Sequence, residues 1–478
     1  MASLSSVTEW WDETDVLILG FGLAGAVTAI EAHDAERQAD VLIVEKMPER
    51  YAGGNSRASG QSLFKPTALE PLLKYQRALN EPNPIPESVL RVWGESMVSL
   101  HDWIETMAGE VGMDYIGGDR TALTVVEFEN LGGREAVEFN ATIEPNPSGV
   151  WKTFKAHVDR RPIRTRYELP AVDLVQDPDS LEVFGAVVEC KGSRHAIRAR
   201  RAVVMCTGGF ENNLKMQRDY YGLERVYTLG TPGNTGDGIH MLQKAGADLW
   251  HMRGSSQAGG FWPGFKVPEH ETPFMRHTQL CSDQYQAASS WIEVAKDSRR
   301  FNNEKERYRE NHCKRLDHGH WVDAPHAFVM PAHMIFDQET LSAGPLAITS
   351  MSWNGAVEGL TWSEDNQREL DKCWITQGDS IQNLAAKLGR DPIELEKEVE
   401  EYNRCCKLGR DDRFGRPAAG LKSIKGPPFY GIEIVPCIVA TTGGGRRNER
   451  AQVLDRSGDP IPRLLEAGEL GSVISNLY

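Results

Sequence analysis

The sequence predicts an α/β fold that begins with a Rossmann-like nucleotide-binding unit. Two short apolar runs, residues 16–19 and 41–44, flank a glycine-rich turn and a stretch typical of a helix, which is the order of a βαβ unit. At 478 residues the chain is longer than a single hydrophobic core usually supports. Its hydrophobic content of 40% provides enough material for two structural units.

The turn GFGLAG carries the spacing G-x-G-x-x-G at Gly20, Gly22 and Gly25. In a βαβ unit the first glycine permits the tight turn, the second lets a pyrophosphate approach the backbone, and the third allows close packing of helix on strand. The helix N-terminus presents N–H groups to the phosphates. Glu45, twenty residues past Gly25, has the position of the acid that accepts ribose hydroxyls. These features predict a dinucleotide site and leave FAD and NAD as alternatives.

Two further glycine-rich segments favour FAD. AGGNSRASGQ, residues 52–61, follows soon after the acid, and ARRAVVMCTGGFENN, residues 199–213, repeats the strand-then-glycine pattern downstream. A simple NAD domain needs neither segment. FAD is longer, and a buried flavin needs additional backbone contacts at its ribityl and ring ends.

Charge and cysteine usage exclude several classes of function. A formal net charge of -15 argues against a general surface for nucleic acid or anionic membranes. The eight cysteines form no C-x-x-C motif, which excludes a zinc ribbon and a haem-attachment site. The first fourteen residues lack the features of a secretory signal, and no apolar run has the length of a membrane span. We therefore expect a soluble, cytoplasmic protein.

Seven segments together resemble the FAD-dependent fumarate reductase and succinate dehydrogenase flavoprotein superfamily, which includes 3-ketosteroid dehydrogenases, urocanate reductases and tricarballylate dehydrogenases. They are GFGLAG, VEKMPERYAGGNSRASGQ, VVMCTGGFE, NTGDGIHMLQKAGA, RRFNNE, PPFYGIEIVP and ATTGGGRRNERAQVLDRSGDPIPRLLEAGELG. The resemblance covers nearly the whole chain. It implies a Rossmann-like FAD-binding domain in two pieces, residues 1–250 and 439–478, with an inserted α+β capping domain over residues 251–438.

The glycine motifs and the resemblance together assign a set of residues to FAD. They are Gly20, Gly22, Gly25, Glu45, Lys46, Gly53, Gly54, Asn55, Ser56, Ser59, Gly60, Val172, Thr207, Gly208, Gly209, Asp237 and Glu469.

The superfamily takes its proton-transfer residue from the segment that here reads RRFNNEKERYREN, residues 299–311. A proton must move because hydride transfer alone would leave a charged carbon skeleton. Fumarate and urocanate reductases carry a proton-donating arginine at the position of Tyr308, whereas 3-ketosteroid dehydrogenases resemble this chain in having a tyrosine base. Tyr308 is the first candidate, with Arg307 or Arg309 stabilising its phenolate. Two alternatives stay open. In the first, Arg307 or Arg309 donates the proton. In the second, all three residues are structural, since a charge run over residues 305–310 is typical of a solvated face.

The stretch before the TxGG motif bears on the substrate. Fumarate reductases typically place a carboxylate-binding histidine there, and this chain has Val439 and Ala440. We therefore expect an enzyme that resembles 3-ketosteroid dehydrogenases and acts on CH–CH bonds next to a carbonyl, with Tyr478 as a candidate hydrogen-bond donor to that carbonyl. The alternative is an organic-acid reductase or dehydrogenase of the fumarate, urocanate or tricarballylate type, in which Arg446 or Arg447 binds the acidic substrate.

The expected partners are a small-molecule substrate and an electron donor or acceptor that the sequence does not identify. A polycyclic or aromatic substrate would suit Trp250, Trp262 and Trp321, which lie in or near the predicted cap. We expect no metal, because His318 and His320 lack an accompanying ligand motif. Relatives in the superfamily continue through a glycine-rich turn into a helix beyond the last residue here, so a flavin-binding protein without catalytic activity is a third hypothesis.

Two helices are predicted late in the chain. The first covers residues 379–388 and ends at Gly389. The second begins at Asp391, where the N-cap acid, the first-turn Pro392 and the third-position Glu394 have the pattern of a capping box, and runs to about Tyr402.

Overall fold

A computed structural model describes residues 2–118, 127–145, 147–256, 262–275, 290–305, 314–323, 329–347, 360–474 and 477. Its helices are α1 (Leu23–Ala35), α2 (Gly54–Ala58), α3 (Leu69–Asn80), α4 (Glu87–Glu110), α5 (Gly133–Ala136), α6 (Gly149–Asp159), α7 (Leu214–Tyr221), α8 (Asp237–Lys244), α9 (Gln338–Ser342), α10 (Gln367–Asp371), α11 (Ile381–Lys387) and α12 (Pro392–Leu408).

The strands of the first half of the chain are β1 (Ala2–Ser3), β2 (Asp12–Leu19), β3 (Val41–Val44), β4 (Leu63–Pro66), β5 (Asp114–Ile116), β6 (Val137–Glu144), β7 (Arg164–Arg166), β8 (Ala171–Gln176), β9 (Val183–Cys190), β10 (Ser193–Met205), β11 (Tyr227–Thr228) and β12 (Leu249–Trp250). Those of the second half are β13 (Ser255–Ser256), β14 (Trp262–Phe265), β15 (Phe274–Met275), β16 (Trp291–Val294), β17 (Lys314–Asp317), β18 (His320–Asp323), β19 (Ala332–Asp337), β20 (Thr376–Gly378), β21 (Phe429–Ile438), β22 (Ala440–Thr441), β23 (Gly444–Gly445), β24 (Gln452–Leu454) and β25 (Pro460–Glu466).

The first sheet contains the βαβ unit that the sequence predicts, formed by β2, α1 and β3. Its strand order is β1-β8-β9-β10-β2-β3-β7, and β25 pairs with both β10 and β24. The strand β2 lies parallel to β3 and to β10, and β10 lies parallel to β25. Parallel strands at the centre place the carboxyl ends of β2, β3 and β10 at one edge, where a nucleotide binds in this kind of fold.

Side chains of the central strands alternate between two cores. Leu17 and Leu19 of β2 pack in one hydrophobic cluster and Ile18 packs in another. On β10, Met205 packs in the cluster of Leu17 and Leu19, and Val204 packs in the cluster of Ile18. Successive side chains of a strand point to opposite faces, so both faces of this sheet are covered. That is why these strands read as continuous apolar runs.

The second sheet belongs to a separate α+β unit. Its order is β15-β14-β21-β19-β16, with β11 and β20 also paired to β21. On one face Ile292 and Ile335 pack with Leu384 of α11 and Val399 of α12. The predicted fold class, a Rossmann-like domain with a second α+β unit, is confirmed. The predicted domain boundaries stay a prediction: strands of the first sheet come from residues 2–205 and 452–466, and those of the second from residues 227–228 and 262–438.

The two predicted late helices are α11 and α12. Ser380 caps α11, accepting from the N–H of Asn383 at 3.0 Å, and Asp391 caps α12, accepting from the N–H groups of residues 393 and 394 at 2.9 and 3.1 Å. The reciprocal half of the predicted capping box is absent from the hydrogen bonds described for this turn, because Glu394 accepts from Arg299 instead. The helix α12 also runs past residue 402 to Leu408, ending where Gly409 adopts a φ of +65°.

The longest helix in the described ranges is α4, with 24 residues. It is amphipathic: Leu90 and Ile104 are buried, whereas Val92 and Val98 are exposed. Within those ranges, no helix combines the length and the apolar character needed to cross a bilayer.

Candidate functional site

The glycine-rich turn joins β2 to α1 with no room for side chains at two positions. Gly20 has a φ of +103°, and a Cβ there would lie 2.4 Å from the carbonyl oxygen of Cys206 on the neighbouring strand. A Cβ on Gly25 would lie 2.1 Å from the carbonyl oxygen of Gly20, so α1 packs directly on the turn. Gly22 is the N-cap of α1. The helix N-terminus therefore faces the carboxyl edge of the sheet, as anion binding requires.

Three adjoining cavities follow this edge. The main cavity, about 740 Å³, is lined by the glycine turn, the end of β3 and the loop after β10. The second, about 540 Å³, shares Ala171 and Asp237 with the main cavity. The third, about 340 Å³, shares Asn55, Ser56 and Glu469 with it. Together they form an elongated space of the kind that an extended dinucleotide needs.

Most residues assigned to FAD line this space. Those in the main cavity are Gly20, Gly22, Glu45, Lys46, Gly54, Asn55, Ser56, Thr207, Gly208, Asp237 and Glu469. Val172 lines the second cavity, and Ser59 and Gly60 line the third. None of the three cavities is lined by Gly25, Gly53 or Gly209, which lie behind the residues that form the cavity walls. A Cβ on Gly53, for example, would lie 2.8 Å from the Trp151 ring.

The acid at the end of β3 is preoriented by the backbone. Glu45 Oε2 accepts from the N–H of Phe21 at 2.7 Å, and Oε1 accepts from the N–H of Met47 at 2.8 Å. Burial raises the pKa of Glu45, although these two hydrogen bonds oppose the rise. A carboxylate oxygen accepts more than one hydrogen bond, so each keeps capacity for a ribose hydroxyl.

Polar groups farther along the main cavity complete a site that fits FAD. Lys46 Nζ donates to Asp237 Oδ2 at 2.6 Å and to Thr235 Oγ1 at 2.8 Å, where the main and second cavities meet. The Oγ1 atom of Thr207 is buried and has no hydrogen-bond partner among the described residues. A buried hydroxyl without a partner is costly, and a Cβ built on Gly238 would lie 1.9 Å from this oxygen, so the hydroxyl packs against α8 beside the cavity wall.

One residue of the site was missed at the level of sequence. Glu211 follows directly after the Gly-Gly-Phe of the TGGFE motif and is fully buried. Its Oε1 atom accepts from Asn55 Nδ2 and from Asn234 Nδ2, each at 2.7 Å. The signal available in the sequence was an acid next to a cofactor motif. Its partners lie far away in the chain, so its role was not predictable.

The two arginines considered for substrate binding lie away from the third cavity. Arg446 Nε donates to Asp248 Oδ2 at 2.6 Å. Arg447 is enclosed next to Glu466 and donates to the main-chain oxygen of that residue at 3.2 Å. Burial lowers the pKa of Arg447. In the described structure, therefore, neither arginine lines the space next to the cofactor site.

Glu466 gives a pH-dependent prediction. Its carboxyl group is fully buried, and burial raises its pKa from 4.5 to about 8 although the charge of Arg447 and the main-chain N–H of Gly445 oppose the rise. The folded state then binds a proton that the unfolded chain releases, so stability is lost as pH rises between these values. We expect the free energy of unfolding to fall between about pH 5 and pH 8, and Glu466→Gln to reduce that fall by on the order of a few kcal/mol.

Urea unfolding of the apoprotein at both pH values measures this difference. The exposed Glu449, changed to Gln, is the control and should keep the wild-type dependence on pH. Equal pH dependence in wild type and Glu466→Gln would contradict the prediction.

The four predicted catalytic residues, Arg307, Tyr308, Arg309 and Tyr478, lie outside the described residues. The start of their segment is described, and from Arg300 onward most of its charged and polar side chains are buried. Arg300, Asn302, Glu304 and Lys305 are each no more than 3% exposed. The alternative of a solvated face over residues 305–310 does not describe Lys305, which is buried and whose Nζ lies 5.0 Å from the centre of the Trp291 ring.

A buried network of charges holds this segment. Arg300 donates to both carboxyl oxygens of Glu304, each at 2.7 Å, and to Asp411 Oδ2 at 3.0 Å. Arg416 Nη1 donates to Glu304 Oε2 at 3.2 Å and to the carbonyl oxygen of Trp291 at 2.7 Å. The motif that precedes Tyr308 is thereby fixed to β16 and to the loop after α12.

The predicted aromatic and histidine candidates have other surroundings. Trp250 is buried and stacks on His251, and the Trp321 ring packs edge-on against Phe128. Neither ring lines the three cavities. His318 lies exposed in the turn between β17 and β18. The side chain of Trp262 is outside what the structure describes.

Comparisons with known proteins agree with this site. The model of the family described as FAD binding domain matches residues 15–477. Digoxin reductase from Eggerthella lenta is 26% identical over 507 residues, covering 96% of this chain and 82% of that protein. Urocanate reductase from the same organism is 26% identical over 491 residues, covering 96% of this chain and 70% of that protein.

Among solved structures, the 3-ketosteroid delta1-dehydrogenase from Sterolibacterium denitrificans in complex with 1,4-androstadiene-3,17-dione has a TM-score of 0.74 and 20% sequence identity. The match covers 98% of this chain and 95% of that one. At this identity the likeness is one of fold.

Proposed function

This chain belongs to the FAD binding domain family and is an FAD-dependent oxidoreductase, and from that premise we propose that it acts on a CH–CH bond next to a carbonyl in a neutral, polycyclic or aromatic substrate. Tyr308 is the proposed proton-transfer residue, and Tyr478 the proposed hydrogen-bond donor to the carbonyl. The third cavity is the proposed substrate site, because it adjoins the main cavity at Asn55 and Glu469.

The lining of the third cavity carries the preference for a neutral substrate. Its acidic residues, among those described, are Glu127 and Glu469, and the described lining includes no lysine, arginine or histidine. Among the described lining residues a dicarboxylate would find no cation to replace its lost hydration, which is costly. Phe64, Leu79 and Val137 add apolar surface, and Gln61 and Asn140 add neutral polar groups. A largely apolar ligand with few polar atoms fits this composition.

The buried charges around Glu304 support a role for the segment that follows. Holding several charged groups out of water is expensive, and a surface loop has no need of it. A catalytic group must be held in productive geometry, and rigid support of the chain next to it serves that purpose. The last described residue of this segment, Lys305, is three positions before Tyr308.

The proposed chemistry divides between cofactor and protein. FAD, when bound, supplies a hydride acceptor or donor at N5. Tyr308 takes or returns the proton on the carbon next to the carbonyl, and the positive charge of Arg307 or Arg309 favours its phenolate. Tyr478 polarises the carbonyl by donating a hydrogen bond, which stabilises the charge that develops on oxygen.

A second candidate is an organic-acid reductase in which Arg307 or Arg309 is the acid. The observation in its favour is that the urocanate reductase of Eggerthella lenta is as similar in sequence as the digoxin reductase. The first candidate needs the hydroxyl of Tyr308 for proton transfer, whereas the second does not.

Anaerobic bleaching of the oxidised flavin by a saturated 3-ketosteroid tests the proposal. We expect bleaching by the wild type and a rate lower by roughly 10²- to 10⁴-fold in Tyr308→Phe, because a positioned proton acceptor is lost. Tyr430→Phe is the matched control, since the Tyr430 hydroxyl donates to Gln338 and the residue lines none of the cavities.

The opposite result has a distinct signature. If ketones do not bleach the flavin, and an unsaturated acid reoxidises the dithionite-reduced enzyme in wild type and Tyr308→Phe alike, the organic-acid candidate replaces the proposal. Loss of that reoxidation in Arg307→Met or Arg309→Met would then identify the acid.

A further inference from the structure

Two carboxyl groups, those of Glu211 and Glu469, lie against the same side-chain amide. Asn55 Nδ2 donates to Glu211 Oε1 at 2.7 Å and to Glu469 Oε2 at 3.0 Å. The main-chain N–H of Thr231 donates to Asn55 Oδ1 at 2.9 Å. That bond assigns the oxygen of the amide, so its NH₂ group must face the two carboxyls. The amide therefore holds the carboxyl groups close together.

The two carboxyl groups differ in their number of donors. Glu211 also accepts from Asn234 Nδ2 at 2.7 Å and from Thr441 Oγ1 at 3.2 Å. Glu469 has Asn55 as its donor within the described structure. Hydrogen bonds to a carboxylate favour its charged form, so three donors make Glu211 the more stable anion.

The groups that act most strongly on this pair, in the described part of the chain, include no cation. They are the neighbouring amides and hydroxyl, the opposite carboxyl and, beside Glu211, the phenol of Tyr221. Burial raises the pKa of Glu211, and the hydrogen bonds from Asn55, Asn234 and Thr441 oppose that rise. Burial, and then the charge of Glu211, raise the pKa of Glu469 to about 8, and a single donor opposes that rise. Burial also raises the pKa of Tyr221, which stays neutral. Two carboxylates that share a site do not both ionise readily, so the pair retains one proton near neutral pH.

The position of Glu469 gives this proton access to a ligand. Glu469 and Asn55 line both the main and the third cavity, whereas Glu211 is fully buried and lines neither. The charged member of the pair thus lies behind the wall, and the member with fewer donors faces the cofactor space.

We propose that Glu211, acting through Asn55, keeps Glu469 protonated near neutral pH, so that Glu469 donates a hydrogen bond to bound FAD. Glu211 is then a positioning residue. FAD has acceptors that carry no proton, namely the carbonyl oxygens and unprotonated nitrogens of its rings and the oxygens of its phosphates, so a protonated carboxyl next to one of them finds a partner where a carboxylate would be repelled. The inference requires FAD binding alone and is independent of the substrate and reaction proposed above.

The test is the dissociation constant of FAD, measured by fluorescence quenching on apoprotein between about pH 6 and pH 9. In wild type we expect the affinity to fall roughly tenfold or more as Glu469 loses its proton, because a donor is replaced by an unpaired charge. Glu469→Gln keeps an N–H donor at every pH and should bind with little dependence on pH. Glu211→Gln removes the neighbouring charge, so the midpoint should move to lower pH.

Glu433→Gln is the control for removing a half-buried carboxyl. Burial raises the pKa of Glu433 as well, but the residue lines none of the three cavities, so its variant should keep the wild-type midpoint. The proposal is overturned by a wild-type affinity that is constant across this range, or by equal midpoints in wild type and Glu211→Gln.

Infrared spectroscopy provides a second measurement that does not depend on the folding of Glu211→Gln. The difference spectrum between FAD-loaded wild type and Glu469→Gln, near pH 7, should contain the carbonyl band of a protonated carboxylic acid. A carboxylate band in its place would also overturn the proposal.

Discussion

Replacing Arg300 with methionine is expected to lower the free energy of unfolding by roughly 3–5 kcal/mol. The side chain of Arg300 is 2% exposed and those of Glu304 and Asp411 are fully buried. Removing the arginine leaves Asp411 without this partner and leaves Glu304 with the hydrogen bonds from Arg416 and from the main-chain N–H of Glu293. Buried carboxylates that lose a cation must either stay charged in a poorly polarisable interior or take up protons, and both outcomes destabilise the folded state. Urea unfolding measures the loss.

The adjacent Arg299 is a matched control. It pairs with Glu394 at 2.9 Å, but its side chain is 57% exposed, so Arg299→Met should lower the free energy of unfolding far less than Arg300→Met. The two variants remove the same chemical group from neighbouring positions. Similar losses in both would show that the buried network does not stabilise the fold as argued.

Replacing Gly20 with valine is expected to destabilise the protein by more than about 3 kcal/mol and to abolish FAD binding. The φ of +103° is unfavourable for a β-branched residue, and the added Cβ would lie 2.4 Å from the carbonyl oxygen of Cys206. This carbonyl belongs to the main chain directly after β10, which cannot move without disturbing the first sheet. Thermal unfolding of the apoprotein and titration with FAD measure the two effects.

Gly22→Ala separates folding from binding. A Cβ on Gly22 would meet its nearest atom, the carbonyl oxygen of Gly53, at 3.6 Å, which is an ordinary contact, and Gly22 lines the main cavity. The apoprotein should keep its stability to within about 1 kcal/mol, while the affinity for FAD falls roughly tenfold or more because the methyl group occupies space at the turn.

An apoprotein of Gly20→Val as stable as wild type would contradict the prediction for Gly20.

Several predictions from the sequence were confirmed because their signals are local. The apolar runs and the glycine spacing lie in one short stretch, and they act through backbone geometry. The role of Glu45 toward the ribose stays a prediction. The resemblance to the flavoprotein superfamily, the FAD cofactor and the α/β class with an added α+β unit were also correct. The prediction that Asp391 caps α12 was confirmed for the same reason.

Predictions that depended on distant contacts were less complete. The helix α12 continues to Leu408, and Cys405, past the predicted end, is buried on the same face as Val399 and Tyr402. Arg446 was considered a ligand for an acid, yet it pairs with Asp248. The roles of Tyr308 and Tyr478 stay predictions.

The sequence by itself determined the nucleotide-binding turn, the cofactor and the order of the main structural units, since these follow from the spacing of residues along the chain. The tertiary structure alone decided which charged groups are buried and paired. Asn55 meets Glu211 across 156 positions and Glu469 across 414. Contacts of that separation arise when strands and loops from opposite ends of the chain pack at one edge of a sheet. A carboxyl group acquires its protonation state from such neighbours, because desolvation and nearby charge depend on position in space.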